Sequence, residues 1–134
     1  MNNSGMAIQL LTTYYKLLTT DLWVVHDDID LPLGRIKIRF GGSSAGHKGV
    51  DSIIKSLGTD KFIRFRLGIG KPFKGKGERV KGRRMLEKVD EYVLSSFLPG
   101  ETHQYKELTK KGAKALKVAV EKGVEAAMNR FNAK

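Results

Sequence analysis

The chain has 134 residues, of which 40% are hydrophobic and none is cysteine. This length suffices for one domain with one core, and the lack of cysteine excludes disulfides and cysteine-ligated zinc. The start lacks the basic region of a signal peptide, and no apolar run approaches the roughly 20 residues of a transmembrane helix. We therefore expect a single-domain protein of the cytoplasm with no membrane partner.

The formal net charge of +11 is unevenly distributed along the chain. Residues 1–33 contain one lysine and four aspartates and carry −3, so residues 34–134 carry +14. Clustered lysine and arginine are typical of surfaces that bind the phosphate backbone of nucleic acids. A basic surface that only keeps the protein soluble is the alternative, and charge alone does not choose between the two.

Apolar patterns predict the first helix and the first strand. Residues with a helical period in the first segment are Ala7, Leu10, Leu11, Tyr14, Leu17 and Leu18. They predict an amphipathic helix that begins near Ser4 and packs by its leucine face. Residues 21–27 follow as a strand, whose Leu-Trp-Val-Val run predicts a central position in a sheet covered on both faces.

Two further strands, over 35–40 and 63–69, alternate apolar with basic or small side chains, so one face of each belongs to the core. The basic residues that we expect to converge on the other face are Lys37, Arg39, Arg64 and Arg66. Between these strands a helix is predicted to begin near His47 and to end at Gly58, since a glycine suits a helix end.

The rest of the chain predicts a mobile basic loop over 71–88 and a short strand over 89–97. A last helix follows, and its predicted inward residues are Leu108, Ala115, Leu116, Ala119, Val124, Ala127, Met128 and Phe131. The order helix, strand, strand, helix, strand, loop, helix indicates an α/β fold built in layers.

Candidate functional side chains follow the first strand. Adjacent strand residues point to opposite faces, so His26 and Asp27 should not aim into one pocket or pair with each other. Asp27 could orient a histidine, as in a hydrolytic triad, or it could simply cap the following turn. Three scattered histidines give no metal-ligand spacing, and His103 is interpreted as a surface residue of the last helix.

The glycine-rich loop over 41–46 and the helix start beyond it could bind an anion or stabilise an oxyanion. A plain flexible turn is the alternative, because the loop has neither of the usual nucleotide-binding glycine spacings. His47 could donate a hydrogen bond or act as a base, and Lys48 could meet a phosphate or polarise a carbonyl. Surface residues at a helix start would look the same.

Longer motifs carry a resemblance to a known family. The run VVHDDIDLPLGRIKIRFGGSSAGHKGV (24–50), followed by SIIKSLGTDKFIRFRLGIGKP (52–72), resembles bacterial peptidyl-tRNA hydrolases. The resemblance extends from residues 1–5, similar to the family motif MNxSG, through EYVLSSF (91–97) into the last helix. It covers nearly the whole chain.

The resemblance implies a three-layer αβα fold with a mixed sheet, and hydrolysis of the ester between a peptide and the 3′ end of tRNA. It implies peptidyl-tRNA as the partner, no metal or organic cofactor, and a monomer. By position, Asp27 matches the aspartate that orients the catalytic histidine. The positions that match or neighbour substrate-binding residues are Asn2, His47 and Lys48 for the peptide and 3′ end, and Arg39 and Arg66 for the tRNA 5′ phosphate.

Two departures from the family pattern shape the expectations. The family's opening segment, with its first strand, an asparagine and the catalytic histidine, has no counterpart before Met1, and neither His26 nor His47 matches that histidine. We therefore expect residues 1–134 to form one N-terminally truncated domain with little hydrolytic activity alone. The alternatives are a catalytically silent RNA-binding relative and an inactive fragment. The second departure is a long basic stretch over 79–88, which could extend the RNA-binding surface.

Overall fold

The computed structural model describes residues 3–70 and 102–132. Its elements in chain order are α1 (Ser4–Tyr14), a 3-10 turn (Thr19–Asp21), β1 (Trp23–Asp28), β2 (Ile36–Phe40), α2 (Lys48–Leu57), β3 (Ile63–Gly68), α3 (Thr102–Lys122) and α4 (Val124–Phe131). The predicted order is confirmed over these residues, except that the last helix is divided at Gly123, which has a φ of 98°. The basic loop over 71–88 and the strand over 89–97 lie outside the described residues.

The three described strands form a mixed sheet in the order β1-β3-β2. β1 runs parallel to β3, and β2 runs antiparallel to it. β3 is therefore the middle strand of the three, and the prediction that the first strand is central is wrong for the described residues. Within the apolar run of this strand, Val25 is 45% exposed.

Helices cover both faces of the sheet, which confirms the predicted α/β layers. On one face, Ile36, Ile38 and Phe65 pack against the inward residues of α3 and α4. On the other, Phe62 and the partly buried Val24 pack against Val50 and Ile53 of α2. The predicted inward residues of the last helix are all buried or partly buried.

Helix α1 begins at Ser4 as predicted, but its leucine face does not form the contact. Leu10 is 65% exposed, and the helix is instead buried at Gly5 and Thr12. A Cβ atom at Gly5 would overlap the backbone carbonyl of Ser52, so α1 and α2 approach closely at this glycine. The backbone N–H of Gly5 also donates to Ser52 Oγ at 2.9 Å. The helical period located the helix, but the closest approach to α2 is at a residue with no side chain.

The outer edge of β2 is covered by a side-chain amide. Asn132 Nδ2 donates to the carbonyl of Ile38 at 2.9 Å, and Asn132 Oδ1 accepts from the N–H of Ile38 at 2.7 Å. The amide thus replaces one residue of a neighbouring strand and satisfies both backbone groups. This pair of bonds ties the end of α4 to the sheet.

Candidate functional site

The end of β1 meets the start of α2 through one side-chain contact. His47 Nε2 lies 3.0 Å from Asp27 Oδ1, although the two residues are 20 positions apart. The intervening chain passes through β2 and then a loop with left-handed backbone at Gly41, Gly42, Ala45 and Gly46. These conformations turn the chain back so that the first residues of α2 lie beside the end of β1.

The two ring nitrogens of His47 both have partners. The backbone N–H of Val50 donates to Nδ1 at 3.1 Å, which caps the first turn of α2. Because Nδ1 accepts this bond, the neutral ring carries its proton on Nε2 and donates it to Asp27. A histidine therefore lies beside Asp27, although it is not the one that the family resemblance places there.

The carboxylate of Asp27 is held in its ionised form. The hydrogen bond from His47 lowers the pKa of Asp27 below its ordinary value, and this effect outweighs the opposing effect of partial burial. The Asp27 side chain is still 32% exposed. A carboxylate accepts several hydrogen bonds, so Asp27 can receive a second N–H donor from the solvent side.

His26 is buried against the same pair. Its Nδ1–H donates to the backbone carbonyl of Asp27 at 2.8 Å, and Nε2 has no hydrogen-bond partner among the described residues. Burial lowers the pKa of His26, and the nearby His47 and Arg64 lower it further, so the ring is neutral. The rings of His26 and His47 meet edge to face, with centroids 4.8 Å apart.

The prediction that His26 and Asp27 do not pair through their side chains agrees with this geometry. Both nevertheless contact His47, His26 through its ring and Asp27 through its carboxylate. Alternation places their side chains on opposite faces along a regular strand, but β1 ends at Asp28. A ring that lies across the end of the strand can therefore reach both.

The basic residues of β2 and β3 form direct cross-strand pairs. Lys37 lies opposite Arg66, and Arg39 lies opposite Arg64, so the four cations share one face of the sheet. Lys37 and Arg39 are exposed, whereas Arg64 is 3% exposed. Arg64 Nη2 donates to the carbonyl of Gly41 at 3.0 Å, and its Nε has no partner among the described residues. Burial lowers the pKa of Arg64, with Arg66 and Arg39 adding to this effect.

Arg66 forms an ion pair that the sequence pattern did not predict. Its Nε donates to Asp28 Oδ2 at 2.7 Å, and both side chains are largely buried. Asp28 Oδ1 also accepts the backbone N–H of Asp30. Asp28 follows His26 by two residues and so shares its face, but only the pairing of β1 with β3 places it beside Arg66. Arg39 is therefore the more accessible of the two predicted phosphate contacts.

The other predicted site residues lie at different places. Lys48 is the exposed first residue of α2, next to His47, and Asn2 lies outside the described residues. His103 is exposed on α3 as predicted, where it lines an open groove with Leu33 and Gly34 rather than the Asp27 site.

Residues 3–70 and 102–132 contain no group of three or more acidic or histidine side chains placed to hold a metal. Over the same residues, no helix is long and apolar enough to cross a membrane.

Comparisons with known proteins identify the family of this chain. The family model described as "Peptidyl-tRNA hydrolase" matches residues 1–134. A peptidyl-tRNA hydrolase of Aquifex aeolicus is 45% identical over 132 residues, 98% of this chain and 63% of the relative. One from Bacillus subtilis is 41% identical over the whole chain and 65% of the relative.

A solved structure shares the fold described above. The crystal structure of peptidyl-tRNA hydrolase from Acinetobacter baumannii superposes with a TM-score of 0.78 at 27% identity, over 99% of this chain and 62% of that one. The chain therefore spans a little under two thirds of the relatives that it matches. Together, the family model, the relatives and the structural neighbour establish that this chain belongs to the peptidyl-tRNA hydrolase family.

Proposed function

We propose that this chain acts on peptidyl-tRNA, in hydrolysis of the ester that joins the peptide to the 3′ end of the tRNA. The observation that carries the proposal is the ionised Asp27 carboxylate, held by His47 at the end of β1. An oriented carboxylate serves a histidine base, and exposed cations suit a phosphate backbone. Peptidyl-tRNA is proposed as the substrate because the chain belongs to the peptidyl-tRNA hydrolase family.

In the proposed reaction, a histidine base takes a proton from water while the water oxygen adds to the ester carbonyl. The resulting tetrahedral intermediate expels the 3′ oxygen of the tRNA, which takes up the proton, and the peptide leaves with a new carboxyl group. Asp27 would accept the other ring N–H of that histidine, hold its tautomer and stabilise the imidazolium. His47 already occupies one position on the carboxylate.

We propose that the base is a histidine other than His26, His47 and His103, as the family resemblance implies. The histidines of this chain support that proposal. The ring nitrogens of His47 are both engaged, Nε2 of His26 is buried, and His103 is on α3 beside Leu33. A base needs a lone pair within reach of water, and neither histidine beside Asp27 offers one.

We assign the tRNA contacts to exposed cations of β2 and of the start of α2. Lys37 and Arg39 lie on the cationic face, and Lys48 begins α2 next to His47. Arg66 Nε is bonded to Asp28, so in the proposed contact Arg66 would meet the 5′ phosphate through its other guanidinium N–H groups. Binding of this kind weakens as salt is added, because each phosphate contact releases counterions.

The second candidate function is tRNA binding without hydrolysis. The observation that favours it is the same set of engaged or buried histidine nitrogens. A chain with an oriented carboxylate but no accessible base would retain its RNA affinity and lose general-base catalysis, typically worth on the order of 10²- to 10⁴-fold. The two candidates therefore agree on binding and differ on cleavage.

Cleavage by an extended chain distinguishes the two candidates. The extended chain is this sequence joined to the N-terminal part of the Aquifex aeolicus relative that precedes the matched region. Both proteins are first checked for a cooperative unfolding transition and for tRNA binding, and peptide release from peptidyl-tRNA is then timed. Hydrolysis is expected only in the extended chain. Binding without cleavage in both proteins would favour the silent relative, and absence of tRNA binding in both would contradict either function.

A further inference from the structure

His47 spans two elements of the fold with one rigid ring. Its Nε2–H reaches Asp27 on β1 at 3.0 Å, and its Nδ1 accepts from Val50 in α2 at 3.1 Å. The side chain is only 13% exposed, and the ring of His26 packs edge-on against it. Rotation of the ring is therefore opposed on three sides.

We propose that His47 is a positioning residue that fixes the Asp27 carboxylate relative to the first turn of α2. The proposal goes beyond a binding or basic role for His47, and it rests on the proposed function only where Asp27 is given a task in hydrolysis. An N-cap is usually serine, threonine, aspartate or asparagine, whose short side chains serve only the helix. The longer imidazole caps the helix with one nitrogen and uses the other to hold a carboxylate on a different element.

This geometry also decides what His47 cannot do in its observed position. A base must present an unshared lone pair to the water that it deprotonates. The only lone pair of neutral His47 lies on Nδ1 and points at the Val50 N–H. If Nδ1 took up a proton, it could no longer accept from the Val50 N–H, and the two N–H groups would point at each other. His47 is thus assigned to orienting the carboxylate, and a different group must accept the proton of water.

The first test uses the unmodified chain and needs no substrate. Nitrogen-15 NMR of the imidazole rings at mildly alkaline pH reports which ring nitrogen of each histidine carries the proton. We expect His47 to carry it on Nε2, with Nδ1 bare and coupled through a hydrogen bond to the Val50 amide. A proton on Nδ1 of His47 would overturn the proposal, because neither observed bond could then form as assigned.

Two matched substitutions separate the two bonds. In His47→Asn, the amide oxygen can still cap α2 from the position of Nδ1, but the side chain is too short to reach Asp27. In His47→Gln, the amide nitrogen can still reach Asp27 from the position of Nε2, and the cap acceptor is lost. The readouts are the pKa of Asp27, followed by its carboxyl carbon shift, and hydrogen exchange of the Val50 amide.

The expected results form a crossed pattern. In His47→Asn, the pKa of Asp27 should rise towards its ordinary value while exchange at Val50 is little changed. In His47→Gln, the pKa of Asp27 should stay low while exchange at Val50 becomes about fivefold faster, since a lost N-cap costs on the order of 1 kcal/mol. An unchanged pKa of Asp27 in His47→Asn would overturn the positioning role.

The spectra of the unmodified chain keep the proposal testable even if neither variant folds. None of these measurements involves RNA, so their failure would remove the role of His47 and leave the proposed hydrolysis to the cleavage assay. Conversely, loss of hydrolysis in the extended chain with the expected spectra would leave the positioning geometry intact and contradict only the proposed function.

Discussion

Arg66 and Asp28 form a buried ion pair that joins β3 to β1, with Nε and Oδ2 2.7 Å apart. The guanidinium is 14% exposed and the carboxylate 8%, so each charge depends on the other for compensation. Removing one partner of a buried pair is costly because the remaining charge is left unpaired. This pair therefore stabilises the sheet at the end of β1, beside Asp27.

Asp28→Asn should lower the free energy of unfolding by about 3 kcal/mol, because Arg66 would keep its charge in a buried place without a carboxylate. Urea denaturation measures the change. Asp51→Asn is the matched control, since Asp51 pairs with Lys55 on the surface of α2 and should cost less than about 0.5 kcal/mol. Equal effects of the two substitutions would contradict the buried role of the Asp28 pair.

Arg39→Ala should weaken tRNA binding and lower the log–log salt slope by about 0.9, the contribution expected of one phosphate contact. If Arg39 contacts the 5′ phosphate, the loss should be larger for a 5′-phosphorylated tRNA than for a dephosphorylated one. Filter binding over a salt series measures both quantities. Lys110→Ala, on the helix that covers the opposite sheet face, is the control and should change neither.

Equal losses for the two RNAs would leave Arg39 as part of a general basic surface and remove its 5′-phosphate contact. No loss on either RNA would place the binding site elsewhere on the chain. Arg66→Ala is less informative for this question, because it also leaves Asp28 unpaired in a buried position.

The buried His26 should make stability fall in mildly acidic solution. Its folded pKa is below the unfolded value of about 6.5, so the unfolded chain binds more protons once the pH falls below that value. The contribution of neutral His26 to the free energy of unfolding is fully present above about pH 6.5 and is lost as the pH falls through the lowered pKa. Unfolding midpoints from pH 8 to 5, as a rough working range, measure the slope.

His26→Asn should flatten this pH dependence, because an asparagine N–H can donate to the Asp27 carbonyl without titrating. His103→Asn is the matched control, because this histidine is exposed on α3. A slope as steep in His26→Asn as in the unmodified chain would show that another group causes the acid sensitivity.

Asn132→Asp should destabilise the fold by about 1–3 kcal/mol, because a carboxylate cannot donate to the Ile38 carbonyl and would face it with like partial charge. Asn129→Asp, at an exposed position of the same helix, should have little effect. Thermal unfolding of both variants measures the difference. Similar midpoints would mean that the amide does not support the edge of β2.

Local patterns in the sequence correctly predicted the elements whose limits depend on residues close together in the chain. Alternation located β2 and β3 within a residue or two, and His47 and Gly58 marked the limits of α2. The leucine face of α1 was predicted wrongly, because a helical period identifies a helix but not the residue at which another helix approaches it. Gly5 takes that position through the absence of a side chain.

The contacts of the site depend on register and on the path of a loop, which single-sequence reasoning does not supply. Asp28 meets Arg66 only because β1 and β3 pair as they do. Asp27 meets His47 only because left-handed residues in the glycine-rich loop bring α2 back to the end of β1. Residue types and resemblance thus selected Asp27 and His47 as candidates, and three-dimensional structure was needed to join them.

The rate of peptide release from peptidyl-tRNA by the extended chain, with and without Asp27→Asn, tests the central claim most directly. The substitution keeps the shape of the side chain but removes the charge that orients a histidine base, so the rate should fall by on the order of 10²-fold or more with tRNA affinity little changed. Asp51→Asn in the same protein should leave the rate unchanged. An undiminished rate in Asp27→Asn would contradict the role assigned to this carboxylate.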